Sequence, residues 1–199
     1  MKKVIFALLA LGAANAAQAD IIPSLMMGSP VQVGTLFRYD YSATLAADQQ
    51  IETGNYFTIF DFGGFSGFGT VGTGFTATSA FLGVTPNNVI PADSASILNA
   101  TFTYNGPTLN NPPAGGQGVS VELGTFQIFS TLNTPSALLN FVSRGVKNNG
   151  PAAGTTVSNV GFVAGPGAIP EPSVWAMLLI GFGAIGISAR RRNAGAVAA

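Results

Sequence analysis

Between Phe37 and Leu45 the chain alternates without a break. Phe37, Tyr39, Tyr41, Ala43 and Leu45 are apolar, and Arg38, Asp40, Ser42 and Thr44 are polar. A period of two places one set on each face of an extended strand, so this segment predicts a half-buried β-strand. The same logic extends along the chain. Tyr56 to Phe62 is apolar on both faces except at Thr58 and Asp61, which predicts a central strand ended by Gly63-Gly64. Gly74 to Val84 alternates, and Ile97 to Tyr104 places Leu98, Ala100, Phe102 and Tyr104 together before Asn105-Gly106-Pro107 breaks the run. Asn110 to Gly118 reads as a Gly/Pro loop. Val119 to Leu123, Thr125 to Thr131, Ala137 to Val146 and Thr155 to Ala164 complete about eight short strands. Helical periodicity is missing, apart from room for a turn or two at Ala43 to Glu52 and Pro135 to Phe141. The expectation is an all-β domain of sandwich or jelly-roll type.

The chain has no cysteine and no histidine. Thiol catalysis, zinc–thiolate sites, a Ser-His-Asp relay and imidazole–metal sites are thereby excluded. Stability must come from packing alone, without disulfides. A domain of this size buries about 68–70% of its unfolded surface, which is enough.

The N-terminus reads as a cleaved secretory signal over residues 1–19. Lys2 and Lys3 start it, Val4 to Ala14 is its apolar run, and Ala17-Gln18-Ala19 offers small residues for cleavage before Asp20. At the other end, Gly165 to Pro172 reads as an exposed linker. Ser173 to Ala189 follows without a charge, and Arg190-Arg191-Arg192 closes the run ahead of a short tail to Ala199. A helix over 173–189 reaches roughly 25 Å, slightly under a typical bilayer core of about 30 Å. Snorkelling arginines and local thinning close the gap. Trp175 suits the headgroup layer, and the arginines suit the cytoplasmic side. The expected organisation is signal 1–19, ectodomain 20–164, linker 165–172, transmembrane helix 173–189 and basic tail 190–199.

Pro170-Glu171-Pro172, Trp175-Ala176-Met177, Gly181-Phe182-Gly183 and Arg190 to Arg192 together resemble the PEP-CTERM sorting signal in its P-E-P-x-x-W-A variety. The resemblance covers about the last 25 residues. It implies a Gram-negative bacterial protein exported by the Sec route, cut by signal peptidase and processed by an exosortase. It implies transient anchoring in the inner membrane, then delivery to the cell surface or extracellular matrix, in a family associated with exopolysaccharide, biofilm and floc formation. The run Thr53 to Gly64 also resembles a segment recurring in ectodomains that carry this signal, without implying an activity.

Between the two ends, Arg38, Arg144 and Lys147 face Asp20, Asp40, Asp48, Glu52, Asp61, Asp93 and Glu122, a net charge of −4. Such a surface lacks the basic footprint that nucleic acid requires. Gly67-Phe68-Gly69-Thr70-Val71-Gly72 matches G-x-G-x-x-G, but a Thr-rich strand follows where a dinucleotide site needs a helix. A second match at Gly181 to Gly186 falls inside the apolar tail. Asp40, Asp48, Glu52 and Asp61 are candidates for a carboxylate pair or for Ca²⁺, with Asp40 and Asp61 expected on neighbouring strands if a glycosidase pair exists. No D-x-D-x-D-G loop supports the calcium reading. Ser143 and Lys147 would form a serine–lysine pair only by coincidence of spacing. Tyr39, Tyr41, Tyr56 and the phenylalanines from Phe60 to Phe68 are either the core or a sugar-stacking face.

The leading expectation is a non-enzymatic exported surface protein with no cofactor and no metal. The alternatives are a carbohydrate-binding module of the matrix and a polysaccharide hydrolase acting through Asp40, Asp61 or Glu122.

Overall fold

A computed structural model describes residues 21–87, 89–111, 119–135 and 137–167, together with positions 180 and 182. The chain divides into two units, residues 1–167 and 168–199. The first is all-β, with two antiparallel sheets. Both the proposed signal at 1–19 and the linker from 168 onward lie outside the described residues, as does nearly all of the expected membrane helix. Among the described residues no helix is long and apolar enough to cross a membrane.

The five-stranded sheet runs β1 (Ile21–Leu25), β3 (Leu36–Leu45), β10 (Val121–Ser130), β6 (Phe65–Phe68), with β2 (Val31–Val33) also paired to β3. The alternation that predicted β3 is realised: Tyr39, Tyr41, Ala43 and Leu45 are buried, and the residues between them are only partly covered. The seven-stranded sheet centres on β5 (Tyr56–Ile59), between β8 (Asn99–Tyr104) and β11 (Ala137–Lys147). β7 (Phe75–Ala80) extends it beyond β8, and β12 (Thr156–Gly165) beyond β11. β4 (Gln49–Ile51) joins the end of β11 and carries β9 (Leu109–Asn111).

Rings from both sheets meet in one core. Phe57 of β5 stacks on Phe102 of β8 at 4.9 Å and meets Phe126 of β10 edge-on at 5.0 Å. Phe75 of β7 also meets Phe126 edge-on, at 4.9 Å. These are the offset and T-shaped geometries that the ring quadrupole favours. Tyr41 is buried among them and still satisfies its hydroxyl, which donates to the Ala164 carbonyl at 3.0 Å. Burial pushes the Tyr39 hydroxyl up to about 12, and burial with the neighbouring Tyr39 raises Tyr41 further. Both tyrosines therefore remain neutral donors at any physiological pH.

Several expectations need correction. Among the described residues there are twelve strands, where about eight were expected. The segments 119–123 and 125–131 are one strand, β10, broken in register between Glu122 and Gly124. The bulge shifts the buried parity from Leu123 to Phe126 and Ile128, which is why the sequence reads as two strands. Gly124 adopts φ +111, a conformation that side-chain-bearing residues rarely reach. The helical turns allowed at Ala43–Glu52 and Pro135–Phe141 are not formed: the first stretch holds the end of β3 and β4, the second the start of β11. The expected loop from Asn110 begins as β9, whose Asn111 pairs with Gln49. Gly165 belongs to the ladder, paired with Ala137, and not to the linker. The strand from Tyr56 stops at Ile59, because Asp61 turns to φ +51.

Replacing a ring that joins β5 to β7, β8 and β10 tests this packing. Phe57→Ala is expected to lower unfolding stability by about 3–5 kcal/mol in urea titration. A loss under about 1 kcal/mol would show that the rings do not form one packed core.

Candidate functional site

β5 is buried on both faces, one against the core and the other beneath residues 81–98, which leave β7 and return to β8. Thr58 donates to the Val84 carbonyl at 3.2 Å and shares a 2.9 Å hydrogen bond with Thr101. Tyr56, Phe60 and Val142 form a second small apolar cluster under Val89. The far end of the excursion is pinned by carboxylates and one amide. Asn99, fully buried, accepts from the Asp61 amide at 2.7 Å, and its own amide donates to Asp93 at 2.8 Å and to the Phe81 carbonyl at 3.2 Å. Asp93 accepts from the Gly83 amide and Asp61 from the Ser94 amide.

Desolvation raises the Asp61 carboxyl above the ordinary range. The Ser94 hydrogen bond opposes the shift and the Asp93 charge adds to it. A raised carboxyl beside a second carboxylate is the raw material of acid catalysis. Here, however, Asp61 Oδ1 and both Asp93 oxygens are engaged by donors that fix the loop, so the cluster acts as a clasp.

The other acidic candidates are dispersed. Asp40 and Asp61 are not on neighbouring strands, the placement a glycosidase pair would need: Asp40 is in the five-stranded sheet, and Asp61 follows β5 of the other. Asp40 is held by Arg38 through two hydrogen bonds of 2.8 and 3.0 Å. Asp48 occupies a left-handed turn and accepts from Asn149, Glu52 accepts from Gln50, and Glu122 is exposed on β10. Among the described residues no group of three carboxylates is placed to hold a metal ion. Ser143 is fully buried and accepts from the Ile21 amide at 3.4 Å. Lys147 lies four residues further along the same strand, about 13 Å away at strand rise, so the two do not pair.

The aromatic candidates fall on the core side of the alternative. Tyr39, Tyr41, Tyr56, Phe60 and Phe62 are buried, and Phe65 and Phe68 pack against the core. They offer no stacking platform. The exposed rings of the domain are Phe81 and Phe162, which the sequence did not single out. The Gly67–Gly72 match lies along β6 and the turn after it, where Gly69 bonds Gln127 of β10 and no helix follows.

The excursion leaves a groove of about 700 Å³ on the outer face of the seven-stranded sheet. Its floor is a cross-strand row: Arg144 of β11 pairs with Tyr56 of β5 on one side and with Ser158 of β12 on the other. Thr156 and Val157 extend the floor, and Val84, Thr85, Pro86, Asn87 and Val89 form the wall. Sequence reasoning counted Arg144 only as a charge. The signal available was the two-sided burial of 56–62, which demanded a cover over the outer face.

The sorting and cleavage residues, Pro170, Glu171, Pro172, Trp175, Ala176, Met177, Arg190, Arg191 and Arg192 with Ala17, Ala19 and Asp20, lie outside the described residues. The family model of the PEP-CTERM protein-sorting motif matches residues 168–192. Comparison with curated proteins and with solved structures finds no match.

The clasp gives a pH signature. A carboxyl whose folded-state pKa is raised favours folding at acid pH, and that contribution is lost as pH rises through the raised value. Asp61→Asn keeps an acceptor for Ser94 and tolerates the left-handed backbone. The variant is expected to be more stable than the wild type at neutral pH, with the gap closing on acidification into the ordinary carboxylate range. A gap that does not change with pH in thermal unfolding would contradict the assignment.

Proposed function

Because the chain carries a PEP-CTERM protein-sorting motif at residues 168–192, we propose that it is an exported, non-enzymatic protein of the cell surface or extracellular matrix. The motif implies export and membrane-associated sorting in a Gram-negative bacterium, with an exosortase as the processing partner. Residues 1–19 serve as the Sec signal removed by signal peptidase. Residues 173–189 cross the inner membrane for a time, with Arg190, Arg191 and Arg192 held on the cytoplasmic side. That topology presents Pro170-Glu171-Pro172 at the outer surface, three to five residues beyond the last described residue of the domain, Gly167.

The non-enzymatic reading is supported by the residue inventory and by the geometry. The sequence has no histidine or cysteine, and the paired carboxylates Asp61 and Asp93 are engaged by backbone and amide donors. A polar surface with few charges on a sheet domain suits a component of biofilm or floc matrix. The single observation that carries the reading is the motif match.

Mass spectrometry of the mature protein from its host provides the test. Its C-terminus is expected near Pro170 to Ser173. An intact Ala199 in the surface form would mean a plain anchor without exosortase processing, and a mature protein confined to the cytoplasm would end the proposal.

A further inference from the structure

The groove is lined by polar groups that remain available to a ligand. The fully buried polar side chains of the domain are bonded internally, as Asn99, Asn111, Thr58 and Ser130 show. The side chains of Tyr56, Thr85, Asn87, Arg144, Thr156 and Ser158 converge on the groove, and none of them makes a side-chain hydrogen bond among the described residues. The ion pair found among those residues is Arg38 with Asp40, so the Arg144 guanidinium has no carboxylate partner there. Among the described residues no aspartate or glutamate lines the groove. Hydroxyls, an amide and a phenol surrounding one uncompensated guanidinium form a site complementary to a polyhydroxylated anion. A guanidinium meets a carboxylate through two parallel N–H···O bonds.

The surroundings indicate a chain-like ligand. Tyr56, Arg144 and Ser158 stand side by side on three strands, spaced about 4.8 Å apart, a row roughly two sugar rings wide. From this row the outer face of β12 continues through Val160 to Phe162, exposed at 41% and 64%. Phe162 lies about 13 Å from Ser158 along the strand, and its ring is open for stacking on a sugar face. Its neighbour across the ladder is Asn140.

We propose that this groove binds an acidic polysaccharide, with a uronate-type carboxylate on Arg144, sugar hydroxyls on Ser158, Thr156 and Asn87, and a further sugar on Phe162. The inference deepens the surface reading by naming a ligand class. It is tested on purified protein, so its outcome is independent of where the chain is sorted or cut. The net charge of −4 between the two targeting ends means that the surface as a whole repels a polyanion. Affinity must therefore come from the groove.

The experiment is isothermal titration of the full chain in detergent with polygalacturonate, with neutral dextran and with free galacturonate. The expected result is binding of polygalacturonate, at least tenfold weaker binding by Arg144→Gln, partial recovery in Arg144→Lys, and no response to dextran. Phe162→Ala is expected to weaken the polymer several-fold while leaving the monomer unchanged. Arg144 and Phe162 are exposed, so the variants are expected to keep the wild-type unfolding midpoint, which is measured alongside. Absence of polygalacturonate binding, equal binding by Arg144→Gln, equal binding of dextran, or binding of the monomer without the polymer would each overturn the proposal.

Discussion

The packing of Phe57 against Phe102 and Phe126 is the constraint on which the rest of this domain depends. Without cysteine, no covalent bond resists unfolding, and the two sheets are joined through apolar contact. Rings suit that task because each removes a large apolar area from water and fits its neighbours edge to face. The buried tyrosines add direction to it. Tyr41 reaches out of the five-stranded sheet to the Ala164 carbonyl of β12, a hydrogen bond that helps to specify how the sheets align, and Tyr39 donates to the Leu132 carbonyl in the connection that leaves β10.

A core that fills one face of the seven-stranded sheet leaves a problem on the other. Tyr56, Phe60 and Val142 project outward and are apolar enough to need cover. The excursion from β7 to β8 provides it, and Asn99, Asp61 and Asp93 hold that excursion in place. Carboxylates that resemble catalytic candidates in the sequence are thus bound into loop architecture. The groove arises where the cover stops short of β12. The polar side chains of its floor, Arg144, Thr156 and Ser158, lie where that cover ends.

Much of the sheet content was legible because period-two alternation is a direct consequence of strand geometry. β3 and the inward face of β8 appear where the pattern places them. The bulge in β10 was not legible, since an added residue inverts the alternation and imitates a strand break at Gly124. The short strands β2, β4, β6 and β9 were missed because three or four residues are too few to display a period, and β1 was missed because Pro23 interrupts its five residues. The buried aromatics could be assigned to a core but not to a partner, since register between distant strands leaves no trace in one sequence. Asp93 and Asn99 escaped notice because neither stands near Asp61 in the chain. The tail is the opposite case: its motif is contiguous, so linear order alone reveals it.

The account separates a self-sufficient sheet domain from an address written in the last residues. The most direct measurement of that claim is a transplant of residues 168–199 onto an unrelated exported β-domain expressed in the native host, followed by fractionation and mass spectrometry of its C-terminus. The account predicts that the borrowed tail is cut near Pro170 to Ser173 and that the reporter leaves the inner membrane. A reporter that stays uncut in the membrane, while the native chain is cut and released, would show that the sheet domain itself is part of the signal.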